Sequence, residues 1–150
     1  MHFGKGGATA RPGLILVAVA LSCGGGLSPR DVSYVHDFTV LGSPVMFFMD
    51  LHLENFPDYS KLTSLTLRAA KLDATDGGDL SFVSGASVAW TRPNLSTWQI
   101  ASLSEPTTAS SANLNVIEGA SAQGPLQVLV ANSATTRRSL RLTLTFHGVY

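Results

Sequence analysis

An all-β fold is the first prediction from this sequence: a single antiparallel β-sandwich of seven to nine strands, preceded by a signal peptide. From residue 31 onward, apolar and polar residues alternate, which places successive side chains on opposite faces of a strand. Clusters of Gly, Pro, Asn and Asp separate the alternating runs at the spacing typical of sandwiches. No segment keeps a 3.6-residue period over several turns, so long helices are not expected.

Composition agrees with an exported β-protein. Only 13% of the 150 residues are charged, whereas 45% are hydrophobic. A disordered chain would combine low hydrophobicity with high net charge. This chain is therefore able to bury a core.

Residues 1–22 are predicted to be the signal peptide. Residues 1–12 carry Lys5 and Arg11 and no acidic residue, and residues 14–21 form an uncharged apolar run of 8 residues. A membrane-spanning helix needs about 20 apolar residues, so a leader is the better interpretation of this run.

Cys23 is the only cysteine of the chain and follows the apolar run almost directly. A lone cysteine has no internal disulfide partner, and this position favours acylation over burial as a thiol. Ala20-Leu21-Ser22-Cys23 resembles the lipobox of bacterial lipoproteins, a family that prefers Leu where this chain has Ala20. The resemblance implies that Cys23 becomes a lipidated N-terminus. Ordinary signal-peptidase cleavage after Ala18-Val19-Ala20 is the alternative.

Residues 23–31 are the predicted link between the lipid and the domain. The run Gly24-Gly25-Gly26 indicates a flexible tether. In the lipoproteins of diderm bacteria that this chain resembles, Asp directly after the cysteine favours retention in the inner membrane. Gly24 therefore implies, by resemblance, sorting to the outer membrane. Residues 32–150 are expected to form one β-sandwich domain.

Each strand of that domain is predicted by its own run of alternating apolar residues. The longest run is the last one, in which Leu140, Leu142, Leu144 and Phe146 alternate with polar residues. The apolar members of the earlier runs are, in order, Val32, Tyr34, Phe38 and Val40; Val45, Phe47, Met49, Leu51 and Leu53; Leu65, Leu67 and Ala69; Ala86, Val88 and Trp90; Trp98 and Ile100; Leu114 and Val116; and Leu126, Val128 and Val130.

One segment narrows the fold class further. Residues 62–92, with an acidic Gly-Gly turn and the sequence Asp79-Leu80-Ser81-Phe82-Val83, resemble part of the Ig-like sandwich lipoproteins of unknown function. The resemblance implies an Ig-like sandwich and no particular activity. Within the segment, residues 79–83 are expected to form a single turn that packs Leu80 and Phe82 under the sheet.

Charge and motif content argue against two classes of function. The full chain has 10 basic and 10 acidic residues. Removal of the leader takes away Lys5 and Arg11, so 8 basic and 10 acidic residues remain. The small group Arg137, Arg138 and Arg141 is too limited for a nucleic-acid footprint. No Gly-x-Ser-x-Gly sequence is present, and acylation of Cys23 would leave no thiol nucleophile. Neither nucleic-acid binding nor enzymatic activity is expected, and no cofactor is implied.

Two places are candidate binding sites. Asp73, Asp76 and Asp79 surround a Gly-Gly turn, and such carboxylates are able to wrap a hard cation such as calcium. The loop lacks the EF-hand register, and a hairpin connection rich in Asp and Gly explains the same residues.

Trp90 and Trp98 flank the second candidate, a loop that contains Arg92 and Asn94. Two exposed and nearly coplanar indole rings would form a platform for sugar faces or a peptide. Trp90 continues the register of buried residues, so Trp98, Arg92 and Asn94 are the expected contact residues.

The function that these observations predict is that of a lipid-anchored envelope module with a structural or protein-interaction role. Its expected partners are the membrane, through the lipid, and an envelope protein or glycan. A glycan- or peptide-binding module centred on the Trp90–Trp98 loop is the alternative.

Overall fold

The computed structural model describes residues 15–18, 28–55, 58–90, 97–117 and 125–150, with the backbone alone described for residues 15–18. These residues form ten β-strands in two five-stranded antiparallel sheets. The strands are β1 (Ile15–Ala18), β2 (Arg30–Val40), β3 (Met46–Leu51), β4 (Ser64–Ala74), β5 (Val83–Trp90), β6 (Trp98–Leu103), β7 (Ser111–Asn113), β8 (Asn115–Val116), β9 (Leu126–Asn132) and β10 (Arg138–Val149). Within the described ranges, helical structure is limited to two 3-10 turns, Leu53–Asn55 and Tyr59–Lys61. The prediction of an all-β sandwich arrangement is confirmed.

The two sheets share one buried core. The first sheet has the strand order β1-β2-β10-β4-β7 and the second has the order β3-β9-β5-β6-β8. Phe38 of β2 stacks on Phe47 of β3 with ring centroids 5.2 Å apart, so the sheets meet directly at this point. Along one side, β7 joins the first sheet and β8 the second, and the buried Leu114 lies between them. This short crossing closes the side of the sandwich.

Strand β10 is the central strand of the first sheet. Its alternating pattern is confirmed, because Leu140, Leu142, Leu144 and Phe146 are all at most 1% exposed. Antiparallel pairing with β2 places polar partners opposite each other on the outer face. Arg141 donates two hydrogen bonds to the Asp37 carboxylate, at 2.6 and 2.9 Å. Nδ1 of His147 lies 2.8 Å from the Asp31 carboxylate in the same row of pairs.

The alternation prediction is wrong at one position of β4. Ala69 was expected to be buried, but it is exposed and its neighbour Ala70 is 2% exposed. The register against β10 shifts between Thr145 and Phe146, which pair with Ala69 and Leu67. Arg68 is therefore an extra residue in a β-bulge, and a bulge exchanges the two faces of a strand.

The strand count exceeds the predicted range because of β1. Ile15–Ala18 pairs with β2 in antiparallel register, with Ile15 opposite Val35 and Ala18 opposite Val32. This strand lies within the predicted leader. Cys23 and Gly24-Gly25-Gly26 lie outside the described residues, whereas Arg30 and Asp31, the last residues of the predicted link, belong to β2. The anchor and the domain boundaries stay predictions. No helix in the described part of the chain is long and apolar enough to cross a membrane.

Candidate functional site

The two tryptophans meet at one end of the second sheet. Trp90 at the end of β5 lies opposite Trp98 at the start of β6. Their ring centroids are 6.4 Å apart and the ring planes are tilted by 40°. Trp98 is 39% exposed, whereas Trp90 is half-buried. Arg92 and Asn94 belong to residues 91–96, which lie outside the described residues.

This geometry limits what the pair is able to bind. A flat platform for sugar rings requires coplanar indoles, and a tilt of 40° departs from that arrangement. Trp98 offers one partly exposed ring. The N–H of Ile117, a second exposed apolar residue (44%), donates to the carbonyl of Ile100 on the same strand β6. The tryptophans thus form a small apolar surface at this end of the sheet.

The acidic loop is organised around an ion pair within the chain. Arg138 donates to both carboxylate oxygens of Asp76, at 2.7 and 3.2 Å, and to the carbonyl oxygen of Asp79 at 3.1 Å. The guanidinium carbon of Arg138 lies 4.2 Å from the centroid of the Phe82 ring. Phe82 and Leu80 are buried, as the sequence predicts for the turn at residues 79–83, and the N–H of Val83 donates to the carbonyl of Leu80.

The remaining carboxylates of the loop also have partners. Nζ of Lys71 lies 3.3 Å from Asp73, and Asp79 accepts hydrogen bonds from the hydroxyl and the N–H of Ser81. Among the residues that the structure describes, no group of three or more His, Cys, Asp or Glu side chains is close enough to hold a metal ion. The calcium hypothesis stays a prediction, and this geometry adds no support to it.

Electrostatics in the loop follow from the same contacts. Hydrogen bonds from Arg138, then from the N–H groups of Ser139 and Gly78, hold the pKa of Asp76 well below its usual range. The paired carboxylate in turn raises the pKa of Arg138. Both groups stay charged at neutral pH, so their ion pair links the start of β10 to the β4–β5 connection.

A third feature, which is not among the candidate sites predicted above, is an exposed apolar surface beside β3. We call it the β3 surface; its members are Leu41 (44% exposed), Val45 (62%), Met46 (46%) and Phe48 (55%). Ordinary proteins expose single apolar side chains, but four large ones within residues 41–48 indicate an interaction surface. On the adjacent β9, Leu129 lies opposite Phe48 and Ala131 opposite Met46.

Two contacts from the end of β9 hold the β3 surface in place. The buried Asn132 donates to the carbonyl of Val45 through its N–H at 2.8 Å and through its side-chain amide at 3.1 Å. The N–H of Gly42 donates to the carbonyl of Ala134 at 2.8 Å. A Cβ at position 42 would lie 2.6 Å from that same oxygen, so glycine is required for the close approach.

A signal for this surface was present in the sequence. Residues 45–49 are five consecutive apolar residues, and no charged residue occurs between Asp37 and Asp50. A strand with one solvent-exposed face should alternate apolar and polar residues. Apolar residues on both faces therefore indicate that the outer face also contacts something apolar. The prediction assigned Val45 to the buried face, and this is wrong: Val45 precedes the strand and is exposed.

Comparison of the chain with protein families, with curated proteins and with solved structures finds no significant match.

Proposed function

We propose that this chain is a lipid-anchored, Ig-like β-sandwich that acts as a protein-interaction module at the cell envelope. The β3 surface is the observation that carries the interaction role. Four large apolar side chains are between 44% and 62% exposed on a segment that is fixed by backbone hydrogen bonds. Exposed apolar area of this kind is costly in water and is retained where a partner covers it.

The anchor part of the proposal is supported by the leader pattern and by the lone Cys23. An acylated Cys23, followed by the Gly-rich tether, would hold the domain at the membrane surface. A single acyl chain binds a membrane only marginally, whereas several chains on one residue make the attachment stable. The proposed location is the outer membrane of a diderm bacterium.

Lipidation is tested by Cys23→Ala. We expect the parent protein to partition into the detergent phase and to yield an acyl-modified peptide that contains Cys23. The variant should partition into the aqueous phase, because no other cysteine is available for acylation. Cys23→Ser is the matched second variant. Equal partitioning of the parent and both variants, with no acylated peptide by mass spectrometry, would remove the anchor from the proposal.

A glycan- or peptide-binding module is the second candidate function. The observation that favours it is the exposure of Trp98 beside Trp90, at a centroid separation of 6.4 Å. The tilt of the two rings favours a short apolar contact over a stacked sugar platform, so this candidate ranks below protein interaction.

A further inference from the structure

The four outer edges of the two sheets differ in how well they are protected. Natural sheets keep edge strands short or charged, since unpaired backbone groups otherwise attract a further strand. Strands β7 and β8 have 3 and 2 residues, and the edge strand β1 has 4. Removal of the leader would make β2 the edge, and β2 carries the charged residues Arg30, Asp31 and Asp37. Strand β3 has 6 residues, of which only Asp50 is charged. The β3 edge therefore has the length and the neutral character that edge strands normally avoid.

Both faces of β3 are incompletely covered. On the outer face, Met46 and Phe48 are 46% and 55% exposed. On the inner face, Phe47 and Met49 are only partly buried, whereas Val128 and Val130, directly opposite them on β9, are at most 1% exposed. A further strand beside β3 would cover both faces at once.

The backbone groups that face the open edge follow from the pairing. The N–H of Asn132 donates to the carbonyl of Val45, and these two residues continue the β3–β9 register as a hydrogen-bonded pair. Hydrogen-bonded and non-hydrogen-bonded pairs alternate along an antiparallel ladder. The N–H and C=O groups of Met46, Phe48 and Asp50 are therefore directed away from β9, toward an edge beside which the described residues place no further strand.

We propose that two copies of this chain pair through β3, antiparallel and related by a two-fold axis at Phe48. The inference deepens the interaction role proposed above and is independent of the lipid. The axis must pass through a residue of β3 and not between two residues, because residues opposite each other must either both present their backbone groups to the open edge or both direct them away from it. With the axis at Phe48, residues 46–50 of one copy lie opposite residues 50–46 of the other, so all five residues are paired. Phe48 then faces Phe48 of the second copy, and Met46 faces its Asp50.

The chemistry of β3 suits its own copy as the occupant. A partner strand must be neutral and apolar on both faces, and β3 has these properties itself. In the proposed register Asp50 is beside a methionine, and the two Asp50 carboxylates are separated by four residues, or roughly 13 Å along the strands. Phe48 of one copy meets Phe48 of the other on the outer face, where aromatic pairs across strands are favourable. The two-fold arrangement is also the commonest symmetry of homo-oligomers.

Disulfide cross-linking of the full chain tests this register. In a Cys23→Ser background no other thiol is present. Phe48→Cys should form a covalent dimer under mild oxidation, because opposite residues of a hydrogen-bonded pair have Cα atoms about 5.5 Å apart, within disulfide range. Met46→Cys and Asp50→Cys should each cross-link poorly alone, and a mixture of the two chains should give a mixed dimer. Thr39→Cys, exposed on the other sheet, is the control for random collision.

Sedimentation provides the second measurement. The Cys23→Ser chain should sediment as a dimer at micromolar concentration, and Phe48→Lys should shift it to a monomer with an unchanged circular-dichroism melting curve. Thr39→Lys adds the same charge on the other sheet and should leave the dimer intact. The unchanged melting curve separates loss of pairing from loss of folding.

Three outcomes would overturn the proposal. One is a monomeric parent with no more cross-linking at position 48 than at position 39. Another is a dimer that survives Phe48→Lys, since its interface would then lie elsewhere. The third is a monomeric Cys23→Ser chain that binds phosphatidylglycerol–phosphatidylethanolamine vesicles through Phe48, which would assign the surface to lipid. None of these measurements requires acylation, so their failure is distinguishable from failure of the anchor proposal.

Discussion

At the scale of single residues, Asp76 is a predicted cation ligand that also forms a structural contact within the chain. Its carboxylate accepts two hydrogen bonds from Arg138 and one each from the N–H groups of Gly78 and Ser139. The sequence indicates the Asp and Gly residues of the turn, but the arginine that neutralises them lies 62 positions away along the chain. Local spacing carries no information about such a partner; from the sequence, the loop indicates a possible calcium site or a hairpin connection.

Asp76→Asn should lower the melting temperature of the protein at neutral pH. It should also make the melting temperature less dependent on pH in the acid range. The folded-state pKa of Asp76 is depressed by Arg138, so its contribution is fully present above the unfolded pKa of about 3.9. As the pH falls below that value, the unfolded chain takes up the proton first, and the contribution is lost. We therefore expect the parent and Asp76→Asn to differ in melting temperature at pH 7 and to converge at pH values well below about 3.9.

The matched control for this prediction is Glu105→Gln, which removes one negative charge at an exposed position between β6 and β7. Its melting temperature at pH 7 should equal that of the parent. A constant difference between parent and Asp76→Asn at every pH would show that the ion pair with Arg138 is not the source of the stability.

At the scale of elements, the strand predictions succeed where a strand is straight and long. Strand β10 alternates without interruption over residues 140–147, and its apolar residues are all buried. Prediction fails where the register changes. The bulge at Arg68 and the exposed Val45 both result from pairing with distant strands, which the local pattern does not contain. The sequence predicts one short segment with Leu114 and Val116, yet Leu114 lies between β7 and β8, which belong to different sheets, and Val116 is part of β8.

Leu144→Ala tests the packing of β10. Leu144 is completely buried and pairs with Tyr34 on β2 and Ala70 on β4. Removal of its side chain leaves a cavity between the sheets, and we expect a loss of about 2–5 kcal/mol in the free energy of unfolding by urea denaturation. Thr143→Ala, on the outer face of the same strand, should lose less than about 1 kcal/mol. Equal losses in the two variants would mean that the assignment of faces is wrong.

At the scale of the whole molecule, the sequence predicts the fold class and not the arrangement of the sheets. Alternation and turn spacing are local properties, and they indicate an all-β sandwich. The strand orders depend on pairings such as β10 with β2, which join residues 98 to 118 positions apart. For the same reason the β3 surface was missed as a site: its significance depends on β3 being an edge strand. The composition of residues 45–49 was visible, but the position of the strand in its sheet was not.

The last prediction concerns the relation between the leader and the domain. A chain that begins at Cys23, with Cys23→Ser, should fold without β1, because β2 keeps its pairing with β10 from Arg30 to Val40. The side chains that β2 contributes to the core, including Val32 and Tyr34, are also retained. Circular dichroism should show the same sheet-rich spectrum and a cooperative melt. In hydrogen exchange, the β2 amides directed toward Ile15–Ala18 should lose protection, while those directed toward β10 stay protected.

A chain that begins at His36 is the matched control, since it lacks Val32 and Tyr34 and should not melt cooperatively. Both side chains are buried, at 3% and 4% exposure, and their removal opens the core between β2 and the second sheet. If the chain from residue 23 also failed to melt cooperatively, β1 would be an integral strand of the domain. Residues 15–18 could then not belong to a leader that is removed, because the folded protein would depend on them.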